Sequence, residues 1–254
     1  MPHRLACIFI SVVTLWLAAC NTPPTATIPP SPIPLSVSFS PYMAHIQDAL
    51  HTCALTLPEL AVFFERTSGS AQDFEGHDLV IWWGEKPSVM DFAYPLGHDE
   101  LVVIANPENP KQELSPQELK ALFSGHIERW TEIGTLDQQV TLWIFPEINL
   151  LSKLFKLEVL DEQRFSRLAS VAPSPQAMLE AIGKTPGAVG FLPRSWTSPD
   201  VSIIQIDPDL QEALRKPLIV LTKTEPGAGL QNLLTCLQTG AGQAILEENY
   251  LDPQ

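Results

Sequence analysis

Six side chains with binding chemistry sit where apolar runs give way to turn residues: Ser40, Tyr42, Thr67, Ser68, Trp83 and Asn149. Each follows a segment that reads as a strand, and in open α/β sheets ligands collect beyond the carboxyl ends of strands. Hydroxyls and an amide suit hydrogen bonding to a small polar solute, and an aromatic ring suits a cleft wall. Four strand ends result: Ser40-Pro41-Tyr42, Arg66–Ser70, Trp83-Gly84-Glu85 and Pro146–Asn149. Ser40 is equally well explained as a helix cap, and hydroxyl-rich turns such as Thr67–Ser70 are usually only turns. Trp82 and Trp83 point to opposite faces of their strand, so one of them is expected to face the cleft.

Other constellations are weaker. His45, Asp48 and His51 are spaced by three on one helical stretch, which invites a metal reading. Each three-residue step turns the helix back by about 60°, leaving the two histidines about 120° apart. A solvated polar face is therefore expected, and no metal or other cofactor. No Ser/His/Asp order, P-loop or Gly-x-Gly-x-x-Gly run appears, and nothing singles out an acid/base pair, so no enzyme activity is expected.

The elements that would position these residues alternate. Apolar runs Leu35–Phe39, Leu60–Glu65, Asp78–Trp83, Glu100–Ala105, Gln139–Ile144, Gly187–Leu192, Val201–Ile206 and Leu218–Leu221 read as strands. Nearly all-apolar strands are covered on both faces, as in parallel sheets flanked by helices. Helices are predicted over Pro41–Ala54, from Pro146-Glu147 to about Leu157, and over Asp161–Leu168, Pro175–Ile182, Gly227–Gln238 and Gln243–Glu248. The clearest start is Ser115-Pro116 with Glu118, a capping box with proline in the first turn. Leu119, Leu122 and Phe123 make its apolar face, Ser124-Gly125 ends it, and a short unit around Trp130 ends at Gly134. Two glycines in Gly187–Leu192 imply that the backbone there passes close to other atoms.

That helix belongs to a longer likeness. "LSPQELKALFSGHIERWTEIG" (Leu114–Gly134) resembles the helix–turn–Trp segment in the second lobe of phosphate-type solute-binding proteins of ABC importers. "LVVIANPENP" (Leu101–Pro110) resembles the family's first crossover, and "TPGAVGFLP" (Thr185–Pro193) is similar to its return strand. The resemblance implies an α/β, two-lobed periplasmic-binding-protein-like (type II) fold with two hinge crossovers. One lobe would comprise residues 35–105 plus 204–254, the other residues 106–203. The ligand would lie between them, phosphate or another small anion. Two loops depart from the family pattern: Phe145-Pro146-Glu147-Ile148-Asn149 carries an acid and no hydroxyl where the family has a Ser/Gly-rich turn, and the loop at Ser40 lacks the family's glycine and run of hydroxyls.

Composition sets the remaining bounds. The 254 residues carry a formal charge of −14, which argues against nucleic acid. Residues 1–19 read as a signal peptide, with a basic start, an apolar core too short to span a bilayer, and Leu17-Ala18-Ala19-Cys20. That last run resembles the bacterial lipoprotein box, which implies lipidation of Cys20 and anchoring at the extracytoplasmic face of the cell membrane. Residues 20–34, with six prolines and no charge, are expected to form an extended tether. Cys53 and Cys236 are compatible with a disulfide in an exported chain and equally with two buried thiols. The expected partners are a small-molecule ligand, such as an oxyanion, and an ABC permease, for a monomeric receptor. The alternative is a transport-inactive surface sensor or protein-interaction module with a degraded pocket.

Overall fold

The computed structural model describes residues 31–43, 45–67, 75–134 and 137–251. The expected signal peptide, Cys20, Ser68 and the expected tether up to Pro30 lie outside the described residues. Within residues 32–254, eight strands form one hydrogen-bonded path. They are β1 (Ile33–Phe39), β2 (Leu60–Arg66), β3 (Leu79–Trp83), β4 (Phe92–Ala105), β5 (Thr141–Ile144), β6 (Ser170–Val171), β7 (Ala188–Pro193) and β9 (Arg215–Thr222). Their order is β2-β1-β3-β9-β4-β7-β5-β6, and β8 (Ser202–Ile204) pairs with β4 off this path.

The sheet is mixed, where the apolar runs predicted parallel pairing. Strands β2, β1 and β3 are parallel, and so are β7, β5 and β6; β9 and β4 run antiparallel between them. Strand β4 has two pairing regimes. Phe92–Glu100 pairs with β9, whereas Leu101–Ala105 pairs with β7 and β8. The sequence reading began this strand only at Glu100, because Pro95 and Gly97 look like breakers. A register shift between those two residues absorbs both, and β9 supplies the ladder from more than a hundred residues away. Strand β1 starts at Ile33, inside the expected tether. Pro34 is tolerated there because the β3 ladder begins only at Val37, leaving no donor needed on that side.

Helices are α1 (Ile46–Thr56), α2 (Pro116–Ser124), α3 (Leu150–Glu158), α4 (Pro175–Lys184), α5 (Pro208–Ala213), α6 (Ala228–Thr239) and α7 (Ala241–Asn249). Helix α2 begins as predicted. Ser115 Oγ accepts from Glu118 N at 3.3 Å, and Glu118 Oε2 accepts from Ser115 N at 2.9 Å. Gly125 and Gly134 end their segments in the left-handed conformation. Trp130 is fully buried and donates Nε1 to Gly187 O at 2.8 Å. The two glycines of Gly187–Leu192 do sit against other atoms. A Cβ on Gly187 would come within 2.5 Å of Gln139 O, and one on Gly190 within 2.9 Å of Trp143 O.

Two helix expectations fail. Pro41–Met43 is a turn closed by Met43 N donating to Ser40 O, and α1 starts only at Ile46. Residues 161–168 form no helix, since consecutive Asp161 and Glu162 have positive φ and break the repeat. Cys53 of α1 and Cys236 of α6 form a disulfide, settling the open alternative. Phe123, Phe145, Phe155, Phe165 and Phe191 pack as an aromatic cluster, with Phe155 stacked on Phe191 at 4.1 Å. This cluster anchors the end of β5, where the candidate site begins.

Candidate functional site

The turn after β1 and the turn after β5 meet. Phe145 is fully buried and anchored on Phe191, so it presents a fixed edge to Tyr42, whose ring stands against it at 5.4 Å and 70°. Burial raises the Tyr42 phenol above its usual value, and a hydrogen bond with the Asn149 side chain partly offsets this. Asn149 also caps α3, accepting from Leu151 N at 2.8 Å. On the opposite side, Trp196 donates Nε1 to Tyr42 O at 2.9 Å. Tyr42 is thus held by groups that enter from two distant parts of the chain, the turn after β5 and the segment after β7.

The other predicted residues sit nearby but are engaged. Ser40 is buried, and its Oγ accepts from Tyr42 N at 3.3 Å, so it closes a turn and does not cap a helix. Thr67 Oγ1 is 2.7 Å from Ser38 Oγ, which uses the hydroxyl inside the sheet end. Trp83 is a core residue, 5% exposed, and its Nε1 is shared between Asp99 O at 3.2 Å and Lys216 O at 3.1 Å. Its indole N–H is not offered to a ligand. Trp82, on the other face, donates to Glu85 O at 3.1 Å. Ser68 lies outside the described residues. Of the six, Tyr42 and Asn149 touch one another, and Ser40 supports Tyr42 from behind.

A cavity of about 300 Å³ opens beside the Ser40–Tyr42 turn. It is lined by the apolar Phe39, Pro41, Met43 and Trp196 and by the polar His45, Gln47, Asp48 and Arg66. Arg66 Nη2 donates to Gln47 Oε1 at 2.7 Å, and His45 Nδ1 lies 3.5 Å from Asp48 Oδ2. His51, further along α1, is exposed. Sequence reasoning noted Arg66 beside its hydroxyl-rich turn but assigned it no role. It had no signal for Trp196, which arrives from the segment after β7. The acid noted in the β5 loop is neutralised: Glu147 pairs with Lys156 at 3.4 Å.

A polar cluster lies behind the site, where β4 changes partners. Asp99 accepts from Ser195 Oγ at 2.6 Å, and from Glu100 N at 2.9 Å. Glu100 pairs with Arg194 and accepts from Gln211 Nε2 at 3.0 Å. Burial pushes the Asp99 carboxyl up to about 6, opposed by the hydrogen bonds from Ser195 and Glu100. Neither acid was singled out in the sequence, where an Asp-Glu pair between apolar runs reads as a strand edge.

This arrangement of strands and crossing segments can be compared with known proteins. A family model described as a PBP superfamily domain matches residues 90–225, more than half of the chain. The chain belongs to the PBP superfamily. Phosphate-binding protein PstS of Bacillus subtilis (strain 168) is 31% identical over 108 residues, a match covering 42% of this chain and 36% of that protein. The matched part therefore spans about a third of that relative's length. An ABC-type phosphate transport receptor from Vibrio cholerae superposes with a TM-score of 0.70 at 19% identity, covering 86% of this chain and 100% of that one. A putative phosphate ABC transporter substrate-binding protein from Clostridium perfringens, solved with bound phosphate, gives 0.74 at 15% identity over 87% and 100%. As a PBP-superfamily member the chain has the two-lobed type II fold. Among the described residues of this PBP-superfamily chain, no helix is long and apolar enough to cross a membrane.

Proposed function

We propose that this PBP-superfamily chain is the extracytoplasmic solute-binding component of an ABC importer, anchored by lipid on Cys20 and delivering a small anion to a permease. One lobe would comprise residues 35–105 with 204–254 and the other residues 106–203. Ligand would shift the molecule towards a closed state by touching both. The observation that carries this reading is the cavity of about 300 Å³ beside Tyr42, with Arg66 in its wall, next to the contact between the β1 and β5 turns. The change of β4 pairing partners at Glu100 and Leu101 supports a hinge there. The names of the relatives support a binding role and an anionic ligand.

Thermal unfolding of the mature chain with inorganic phosphate, sulfate and small organic anions tests this. A ligand at a hundredfold its dissociation constant adds about 2.7 kcal/mol of stability. Stabilisation by one anion, with compaction in solution scattering, is the expected result; no response to any anion would overturn it. Cys20→Ala should release the chain from membranes.

One observation favours a second reading. Tyr42 already contacts both Phe145 and Asn149 where a ligand would bridge the lobes. A seam occupied by the protein's own side chains suits a surface sensor or interaction module without transport. Stable capture of a specific protein partner, with no solute response, would select it.

A further inference from the structure

The cavity beside the β1 turn has two unlike halves, and that asymmetry narrows the ligand. Half of its lining residues are apolar, Phe39, Pro41, Met43 and Trp196, and the Trp196 ring is fixed by its Nε1 bond to Tyr42 O. A tetrahedral inorganic oxyanion gains nothing from such a surface and loses hydration against it. The volume, about 300 Å³, is roughly ten times the share of one water molecule and lies at the lower end of the range for organic ligands.

The polar half carries few charges. Arg66 is hydrogen-bonded to the neutral amide of Gln47 and has no ion pair among the described residues. His45 and Asp48 face one another, and among the described residues the Asp48 carboxylate is the only fixed negative charge lining the cavity. A single planar guanidinium matches one carboxylate in a two-pronged contact, and Asp48 opposes a second negative charge.

We infer that the ligand is an organic monocarboxylate, its carboxylate on Arg66 and its apolar body over Phe39 and Met43 against Trp196. This rests on the solute-binding reading and specifies its substrate class. Each methylene that moves from water onto the apolar lining should tighten binding about fourfold.

The test is calorimetry on the mature chain, unfolded and refolded to remove carried solutes, with acetate, butyrate, hexanoate, succinate and inorganic phosphate. Affinity should rise from acetate to hexanoate by about fourfold per methylene. Hexanoate should exceed phosphate and succinate by tenfold or more. Arg66→Gln, at the exposed end of edge strand β2, should weaken every carboxylate at least tenfold. Trp196→Ala should flatten the dependence on chain length. Tightest binding by phosphate, or unchanged affinity in Arg66→Gln, would overturn the ligand class while leaving solute binding intact. No heat with these five and no stabilisation by any anion in the wider panel would instead remove the solute-binding reading, and the ligand class with it.

Discussion

Ser195 Oγ donates to Asp99 Oδ2 at 2.6 Å, joining the segment after β7 to the middle of β4. The acceptor is 4% exposed and sits beside Glu100, which is itself compensated by Arg194. Tyr250 is close enough that its phenol is raised by burial and then by the Asp99 charge. A carboxylate so placed is costly to keep ionised, and the cost is set by the fold.

The first prediction follows from that cost. Asp99 titrates at 3.8 when solvated and at about 6 here, so the folded state binds its proton more tightly than the unfolded state. Its contribution to stability is complete below pH 4 and disappears as pH rises through 6, on the order of 3 kcal/mol. Asp99→Asn keeps an acceptor for Glu100 N and a partner for Ser195 Oγ while removing the charge. Chemical denaturation from pH 4 to 7 should show a falling limb in the wild type that is absent in the variant. Parallel profiles would refute this.

Cys53 and Cys236 are separated by 183 positions and tie α1 to α6. Their bond restricts the unfolded chain over most of its length. Replacing both by Ala should lower unfolding free energy by about 2–5 kcal/mol. The same loss should appear when the wild type is unfolded in reductant, and reductant should leave the variant unchanged.

Tyr42 and Asn149 should prove energetically coupled. Asn149→Ala alone should cost about 1–2 kcal/mol, because it also removes the α3 cap. A double-mutant cycle with Tyr42→Phe should give an interaction of about 0.5–1.5 kcal/mol. A zero coupling energy would mean that the two turns do not engage in solution.

Trp130 and Gly187 form a joint whose two halves can be tested separately. Trp130→Phe leaves Gly187 O without its indole donor and should cost about 1–3 kcal/mol. Gly187→Ala should cost at least about 1 kcal/mol, since φ is +77° and the new Cβ meets Gln139 O at 2.5 Å. Urea titration of either variant reads the loss directly, and a midpoint within error of the wild type would contradict it.

Local signals were readable wherever the interacting groups are three or four residues apart. The Ser115–Glu118 box, the Ser174-Pro175 start of α4 and the left-handed glycines at 125 and 134 all appear as expected. Asp207-Pro208 is the same kind of signal and starts α5, with Asp207 accepting from Asp209 N at 3.0 Å. Ser40-Pro41 carried an identical signature and begins a turn instead, because Tyr42 is drawn towards Phe145, Asn149 and Trp196. A capping pattern therefore describes an available choice, and distant contacts select among the choices.

The amino-acid order was enough for the family, most helix starts and most strand runs, since periodicity and caps arise from neighbours along the chain. It marked Tyr42 and Asn149 as strand-end residues but could not bring them together, and it offered nothing to put Trp196 beside Arg66. It left Cys53 and Cys236 undecided between two states. Those outcomes needed the antiparallel passage of β4 beside β9 and the return of the chain through β7, pairings between segments about a hundred residues apart. Contacts of that kind depend on which surfaces fold against each other, and no short window of sequence contains both partners.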